Sequence, residues 1–348
     1  MTSPFSVRWV GNANTGYLEL LDQTLLPLEE RTLKITEAQV AREAITSLRV
    51  RGAPAIGAAG AYALVLAART ITESDQWHQQ LKQQAVWLNE SRPTAVNLSW
   101  ALNRLVQQDA DNLHLDLTAR KVNLLNEANR IVEEDRKMCE AMGKNGAALI
   151  GMGCGVLTHC NTGMLATAGE GTALAAMYHA HRSGVQFKVY ADETRPLLQG
   201  ARLTTWELRR AGIDVTLVCE GMAGMLMSQG KIHLVMVGAD RIAQNGDTAN
   251  KVGTYSLAIL AHYHKLPFYV VAPSSTFDLK LEDGSGIPIE QRKPEEVSCV
   301  FGHRTAPENI KVFNPAFDVT PGSLITGVIT EKGIINPVNR ESVLNHWK

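Results

Sequence analysis

Beyond about residue 144, short apolar runs rich in β-branched residues alternate with stretches of helical periodicity. The predicted strands cover 155–159, 185–190, 214–218, 232–237 and 267–271, with further candidates at 309–313 and 325–329. The predicted helices cover 171–183, 199–211, 221–228 and 250–264. Such alternation is typical of βαβ units and a mostly parallel sheet. We therefore expect an α/β fold in which residues 144–348 form a doubly wound, Rossmann-like domain.

The first part of the chain has a different pattern. Residues 6–30 contain two short strand-like runs around a turn at Gly11, which predicts a small hairpin. Helical periodicity then predicts helices over 37–48, 54–69, 75–90, 94–108 and 114–142. A chain of 348 residues exceeds the usual size of one core. We therefore predict a mainly helical domain at 1–143, with a short strand region at its start, and a second domain at 144–348.

Residues 52–68 carry no charge, yet the segment is shorter than the roughly 20 residues that a membrane helix needs. Arg51 and Arg69 bracket it, so a buried helix is the better interpretation. Its start, from Arg51 to Pro54, places a proline in the first turn and a guanidinium beside the N-terminal backbone N–H groups. This start is either an anion site or an ordinary helix start with a solvated arginine.

Composition narrows the possible partners and the compartment. Lys plus Arg total 34 against 35 for Asp plus Glu, and no basic block is present, so nucleic acid and membrane surfaces are poor candidates. The five cysteines form no C-x-x-C pair, which favours reduced thiols in a cytoplasm. Residues 1–5 lack the pattern of a secretion signal. The sequence offers no zinc ligand set, so we expect no metal.

One strand end carries a carboxylate. The apolar run 234–237 ends in Gly238, and Asp240 follows directly. Ligands of α/β sheets bind outside the carboxyl ends of the strands, so Asp240 is a candidate site residue. The alternative is an aspartate that only shapes a turn or caps a helix.

Two further strand ends carry polar residues. Cys160 and Asn161 end the run that begins at Val156, and Gln199 stands near the helix start that follows the strand at 185–190. A free cysteine is more often a buried small hydrophobe than a nucleophile, so Cys160 alone is ambiguous. The glycines at 151–155 precede a strand with the wrong spacing for a dinucleotide fingerprint. We expect polar side chains from three strand ends to meet at one edge of the sheet.

These motifs together resemble the methylthioribose-1-phosphate isomerases, which share ancestry with ribose-1,5-bisphosphate isomerases and with regulatory subunits of a translation-initiation exchange factor. The matching segments are 51–57, 92–98, 158–163, 192–196, 199–204, 238–242, 245–247 and 250–254. They span most of the chain. The C-terminal sequence from about residue 278 matches less well, so no site residue is assigned there. Its hydrophilic part, 278–308, is long for a connection inside a compact domain, and such connections are often functional or mobile.

The resemblance implies an aldose–ketose isomerase that converts 5-methylthioribose 1-phosphate to the ribulose 1-phosphate in methionine salvage. It implies a catalytic pair, Cys160 and Asp240, no cofactor and a homodimer. It also implies substrate contacts, which come from Arg51, Gly52, Ala53, Arg92, Gln199, Asn250 and Lys251. The alternatives are a ribose-1,5-bisphosphate isomerase and a non-catalytic exchange-factor subunit.

Asp240 is the natural acid for this chemistry, since the phosphate on the anomeric oxygen blocks simple ring opening. A carboxyl with a pKa near about 4 is ionised at neutral pH, so the role requires burial or a nearby negative charge to raise the pKa of Asp240. Cys160 is expected to act on the hydrogen that moves from C2 to C1, either as a base or by stabilising charge during hydride transfer.

Overall fold

The computed structural model describes residues 5–72, 75–93 and 95–347. The predicted lack of a secretion signal rests largely on residues 1–4, which lie outside the described residues. The first residue of the predicted helix 94–108 also lies outside them. The chain forms two compact units. The first unit comprises Met1–Glu140 and Gly163–Gly171, and the second comprises Ala141–Thr162 and Thr172–Lys348. The proposed domain division at 143/144 stays a prediction.

The first unit begins with a three-stranded antiparallel sheet and continues with helices. The strands are β1 (Val7–Val10), β2 (Tyr17–Leu21) and β3 (Thr32–Ile35), in that order across the sheet. The helices are α1 (Ala38–Thr46), α2 (Ala53–Ala68), α3 (Trp77–Asn89), α4 (Val96–Ala110) and α5 (Leu117–Ala147). The predicted hairpin and the five predicted helices are confirmed, and β3 adds a strand that the sequence pattern did not indicate.

The core of the first unit is built around α2. This helix is apolar on all sides, and its residues from Ala55 to Ala68 are buried, as expected of a helix without a polar face. It contacts α1, α3 and α4. The prediction of a buried helix at this position is confirmed. Among the described residues, no helix is both long enough and apolar enough to cross a membrane.

The second unit begins with the last residues of α5, from Ala141 to Ala147, and continues with strands and helices. The strands are β4 (Gly155–Thr158), β5 (Lys188–Asp192), β6 (Asp214–Val218), β7 (Leu234–Val237), β8 (Arg241–Ile242), β9 (Thr248–Lys251), β10 (Phe268–Val271), β11 (Cys299–Val300), β12 (His303–Arg304), β13 (Phe317–Thr320), β14 (Gly327–Thr330) and β15 (Gly333–Ile335). The helices are α6 (Ala173–Arg182), α7 (Thr205–Arg210), α8 (Ala223–Ser228), α9 (Thr254–Tyr263), α10 (Glu295–Ser298) and α11 (Arg340–His346). A π-helical turn at Gly200–Thr204 precedes α7.

Seven strands form the central sheet in the order β15-β14-β10-β7-β4-β5-β6. Neighbouring strands are parallel except β15, which is antiparallel to β14. Every residue of β4 and β7 is buried, as expected for central strands with helices on both faces. The predicted doubly wound, mostly parallel sheet is confirmed.

Two predictions about individual elements are wrong. The predicted helix at 250–264 begins only at Thr254, because Asn250 and Lys251 belong to β9, which pairs with β8 and β13 in a small antiparallel sheet. The predicted strand at 309–313 is irregular, and its apolar side chains Ile310 and Phe313 are exposed rather than packed on a sheet face. The hydrophilic stretch 278–308 contains α10 and the short hairpin formed by β11 and β12.

Candidate active site

The order of the strands reverses between β4 and β7. From β4 the chain adds β5 and β6 on one side, and it then crosses to add β7, β10 and β14 on the other. Ligands of open α/β sheets bind outside the carboxyl ends of the strands at such a switch point. Cys160 follows β4 by two residues and Asp240 follows β7 by three. Because adjacent strands lie about 5 Å apart, the two loops leave the sheet side by side.

The backbone of Cys160 is held in an unusual conformation. Its φ of +63° lies in the left-handed region, which is uncommon for a residue other than glycine. The Cys160 N–H donates to Thr194 Oγ1 at 2.8 Å, and the Thr204 hydroxyl donates to the Cys160 carbonyl at 2.6 Å. Strained residues of this kind persist where surrounding contacts over-determine them, and they cluster at functional sites. The hydroxyl groups of Thr194 and Thr204 therefore hold the backbone of Cys160 and so position its buried thiol.

The residue after Cys160 is also fixed. The Asn161 side chain is buried and donates to Glu207 Oε1 at 2.8 Å, while the Tyr178 hydroxyl donates to Glu207 Oε2 at 3.0 Å. A buried carboxylate that accepts hydrogen bonds at both oxygens holds its donors firmly. Glu207 thus anchors the Cys160 loop to α7, a contact that the sequence pattern did not reveal.

Asp240 is half-buried at the other side of the switch point. Its N–H donates to the Ala249 carbonyl at 2.9 Å, which continues the pairing between β8 and β9. A Cβ on Gly238 would lie 2.8 Å from Thr162 Cγ2, so glycine lets the end of β7 approach the segment that follows Cys160. The loops that carry Cys160 and Asp240 are therefore packed against each other.

Asn250 and Lys251 lie on β9, beside the strand that Asp240 precedes. The Asn250 side chain is buried and donates to Thr254 Oγ1 at 3.0 Å. The Lys251 ammonium donates to the Ala316 carbonyl at 2.7 Å and lies 4.8 Å from the centre of the Phe317 ring. Both side chains have defined orientations, imposed by α9 for Asn250 and by the chain around β13 for Lys251.

Gln199 follows β5 and directly precedes the π-helical turn. Its side chain is buried, and its Oε1 atom has no hydrogen-bond partner among the described residues. A buried polar atom without a protein partner is uncommon and is often completed by a ligand or water. Upstream of Gln199, Asp192 at the end of β5 contacts His159, with 3.2 Å between Asp192 Oδ2 and His159 Nδ1.

The four remaining predicted residues belong to the first unit. Gly52 has φ +89° and precedes the first residue of α2, Ala53, so the predicted helix start is confirmed. Arg51 is half-buried beside this helix start, and Arg92 is half-buried in the turn before α4. A helix N-terminus with an adjacent guanidinium is suited to an anion such as phosphate.

The described residues contain no cluster of three or more His, Cys, Asp or Glu side chains able to hold a metal ion. Within the second unit, the predicted site residues supply the thiol of Cys160, the carboxyl of Asp240, the amides of Gln199 and Asn250 and the ammonium of Lys251. This set can supply acid–base chemistry and can bind a phosphate.

Comparison with known proteins adds an independent result. The model of the initiation factor 2 subunit family matches residues 49–337. A methylthioribose-1-phosphate isomerase from Pelotomaculum thermopropionicum is 53% identical over 97% of this chain and 93% of that protein. A 5-deoxyribose 1-phosphate isomerase from Moorella thermoacetica is 53% identical over 94% of each.

Two crystal structures are also similar. That of 5-methylthioribose 1-phosphate isomerase from Pyrococcus horikoshii has a TM-score of 0.92 at 40% identity and covers 100% of this chain and 96% of its own. That of translation initiation factor eIF-2B subunit delta from A. fulgidus has a TM-score of 0.87 at 42% identity, over 99% of this chain and 100% of its own. The matched range of the family model, the full-length identity and the similarity of the fold agree, and this chain belongs to the initiation factor 2 subunit family.

Proposed function

We propose that this protein is an aldose–ketose isomerase that converts 5-methylthioribose 1-phosphate to 5-methylthioribulose 1-phosphate. The observation that carries the proposal is the position of Cys160 and Asp240, which follow adjacent parallel strands on either side of the reversal in strand order. Full-length relatives with this activity in their names support it.

The first chemical task is to open the ring. The C1 phosphate prevents the free hemiacetal opening that ordinary aldoses undergo, so the bond from C1 to the ring oxygen must break while the phosphate stays on C1. Asp240 is assigned as the acid that protonates the ring oxygen as this bond breaks. General acid catalysis by a positioned carboxyl contributes about 10²- to 10⁴-fold in rate.

The second task is to move hydrogen from C2 to C1. In a proton route, the Cys160 thiolate removes the C2 proton, an enolate-like intermediate forms, and the proton is delivered to C1. The C2 hydroxyl becomes a carbonyl as it gives its own proton to the Asp240 carboxylate, which restores the acid. In a hydride route, the C2 hydrogen passes to C1 with its electron pair and Cys160 stabilises the developing charge. The two routes differ in whether solvent hydrogen appears at C1.

The remaining assigned residues bind the substrate. Arg51 and the backbone N–H groups of Gly52 and Ala53 are assigned to the phosphate, because a helix start with a guanidinium suits an anion. The other assigned contacts are Arg92, Gln199, Asn250 and Lys251. For Gln199, the buried Oε1 has no partner among the described residues, which supports a hydrogen bond from a sugar hydroxyl.

A second candidate substrate is 5-deoxyribose 1-phosphate, because relatives at similar identity carry that name. It shares the ribose 1-phosphate part and therefore the same bond changes. A ribose-1,5-bisphosphate isomerase would need further cations for a second phosphate, and a regulatory subunit would need no catalytic pair. A coupled assay with the three sugar phosphates side by side separates these functions.

Substitution of the catalytic pair tests the mechanism. Asp240→Asn should keep the fold and the substrate affinity and lower kcat by about 10²-fold or more, because the amide cannot protonate the ring oxygen. Cys160→Ser should also lower kcat strongly. Matched controls are Asp214→Asn, at the amino end of β6, and Cys219→Ser, on an exposed cysteine.

Near-normal kcat in Asp240→Asn would remove Asp240 as the acid. Isotope transfer then distinguishes the routes. Solvent deuterium at C1 of the product supports the proton route, whereas complete retention of a C2 label supports hydride transfer.

We also propose that the protein is a cytoplasmic homodimer. The odd number of cysteines, without a C-x-x-C pair, supports a reducing compartment. Light scattering on the purified protein measures the oligomeric state, and a mass of one chain would contradict the dimer.

A further inference from the structure

His159 lies between the last residue of β4 and Cys160, and its side chain is fully buried. The ring uses both nitrogens. Nδ1 lies 3.2 Å from Asp192 Oδ2 at the end of β5, and Nε2 lies 2.9 Å from the carbonyl oxygen of Val252, just beyond β9. One imidazole therefore connects three chain segments, and two of them carry a residue assigned to the reaction, Cys160 beside His159 and Lys251 beside Val252.

The partners of the ring determine where its protons are. A carbonyl oxygen can only accept, so Nε2 must carry a hydrogen to bond Val252. Nδ1 then faces the carboxyl group of Asp192. If neither Nδ1 nor Asp192 were protonated, two lone pairs would oppose each other in a buried space. The His159–Asp192 pair therefore holds one shared proton, as an imidazolium with a carboxylate or as a neutral ring with a carboxylic acid.

The surroundings favour retention of that proton. Burial raises the pKa of Asp192, the hydrogen bond to His159 opposes this, and the negative charges of Glu220 and Glu193 add to the increase. Asp318 faces His159 from β13 and adds further negative charge near the ring. Each acidic neighbour makes loss of the shared proton less favourable.

The ring also determines the position of the turn after Lys251. Gly253 has φ +107°, and a Cβ on this residue would lie 2.9 Å from His159 Cε1. The Gly253 N–H donates to Asp318 Oδ2 at 2.7 Å. The turn is therefore clamped between the imidazole of His159 and the carboxyl group of Asp318.

Asp192 is linked to Cys160 by a second path. Its backbone carbonyl accepts from the Thr194 hydroxyl at 3.0 Å, and the same hydroxyl oxygen accepts the N–H of Cys160 at 2.8 Å. The side chain of Asp192 thus fixes His159, while its backbone fixes the residue that supports the strained conformation of Cys160. A shift of the side chain or of the backbone carbonyl of Asp192 would therefore move Cys160 and its thiol.

We propose that His159 is a positioning residue for the isomerisation, and that the proton it shares with Asp192 holds Cys160 and the turn after Lys251 in fixed positions relative to each other. The proposal rests on the assignment of Cys160 and Lys251 to the reaction. His159 does not act on the substrate in this scheme. Loss of the shared proton separates the pair, and misplacement of a reacting group by about 1 Å can lower the rate by about 100-fold.

Two substitutions of Asp192 give opposite expectations. In Asp192→Asn, the amide N–H donates to Nδ1 of a neutral His159 ring and cannot titrate, and the amide oxygen takes the place of Asp192 Oδ1, which has no partner among the described residues. This variant should keep kcat within about threefold of the wild type and sustain it to higher pH. Asp192→Ala removes the contact and should lower kcat by about 100-fold with little change in KM.

Nitrogen-15 NMR of histidine-labelled protein tests the pair without reference to activity. The wild type should show hydrogen on Nε2 of His159, and Asp192→Asn should show a neutral ring with the same Nε2–H form. His159→Gln identifies the signal by its loss. A neutral Nδ1–H form in the wild type would overturn the proposal.

The kinetic outcomes separate this proposal from the proposed function. Equal loss of kcat in Asp192→Asn and Asp192→Ala, or normal kcat in Asp192→Ala, would overturn the positioning role in an active enzyme. A wild-type protein that isomerises none of the three sugar phosphates would instead contradict the proposed function, and the NMR result would still decide whether the proton is shared.

Discussion

Replacement of Asp135 by asparagine should remove a pH-dependent loss of stability from the first unit. Asp135 lies on α5 and is buried, and its Oδ2 accepts the N–H of Ala168 at 2.6 Å. Burial raises its pKa from 3.8 to about 6, against the opposing effect of backbone hydrogen bonds from Ala168 and Gly169. The folded protein therefore binds the proton more tightly than the unfolded chain does.

The sign and size of the effect follow from this difference in pKa. Below pH 3.8, the group is mainly protonated in both states and its contribution to stability is fully present. As pH rises through about 6, the folded state must bury a charge and the contribution is lost. A difference of about two pKa units corresponds to about 3 kcal/mol in the free energy of unfolding.

The Asp135→Asn variant keeps an oxygen that can accept the Ala168 N–H, and its side chain is neutral at every pH. The free energy of unfolding of the variant relative to the wild type should therefore increase by about 2.5 kcal/mol between pH 4 and pH 7. Other titrating groups cancel in this comparison. Chemical denaturation followed by tryptophan fluorescence suits the measurement, because Trp9, Trp77, Trp87 and Trp100 all lie in the first unit.

Glu133→Gln provides the matched control, since Glu133 is exposed on the same helix. This control should leave the pH dependence of the wild type unchanged. A difference in the free energy of unfolding between Asp135→Asn and the wild type that stays constant with pH to within about 0.5 kcal/mol would contradict the raised pKa of Asp135.

Two further substitutions test the framework of the first unit. Asp109→Asn should cost about 3–5 kcal/mol in thermal or urea unfolding, because it leaves the buried guanidinium of Arg120 uncompensated. Burial acts to raise the pKa of Asp109, but hydrogen bonds that include Arg120 lower it overall, so the stabilisation by this pair should fade as pH falls below 3.8. Gly52→Ala should destabilise by more than about 1 kcal/mol, since φ is +89° and the new Cβ would lie 2.5 Å from Ala166 Cα. Gly151→Ala, which meets no atom within 4 Å, is its control, and equal stability of the two variants would contradict the argument.

The sequence patterns located most elements of the fold. The uncharged run at 52–68 predicted the buried helix α2, because a helix without a polar face has to be enclosed. The apolar runs before Cys160 and Asp240 predicted β4 and β7, and the alternation of strands and helices predicted a parallel sheet. These predictions depend on local periodicity, which the sequence contains in full.

The errors occurred where local pattern was a poor guide. Residues 250–253 fit the helical periodicity of α9. Asn250 and Lys251 nevertheless pair with β13 as part of β9, and α9 begins only after the left-handed residue Gly253. The segment 309–313 alternates like a strand, yet it is irregular and exposes Phe313. Asn250 and Lys251 are extended because β9 pairs with β13, which is distant in the chain. Within the described residues, the segment 309–313 belongs to no strand, so its conformation stays irregular.

The sequence by itself determined the sheet, the helices and the motifs that place Cys160 and Asp240 at strand ends. Only the tertiary structure decided what surrounds them. His159 contacts Asp192, which is 33 residues away, and Val252, which is 93 residues away. Asp135 acquires its raised pKa from burial, which the backbone hydrogen bonds from Ala168 and Gly169 only partly offset. Such contacts depend on how the strands are ordered and how closely segments pack, and neither quantity is encoded in local periodicity.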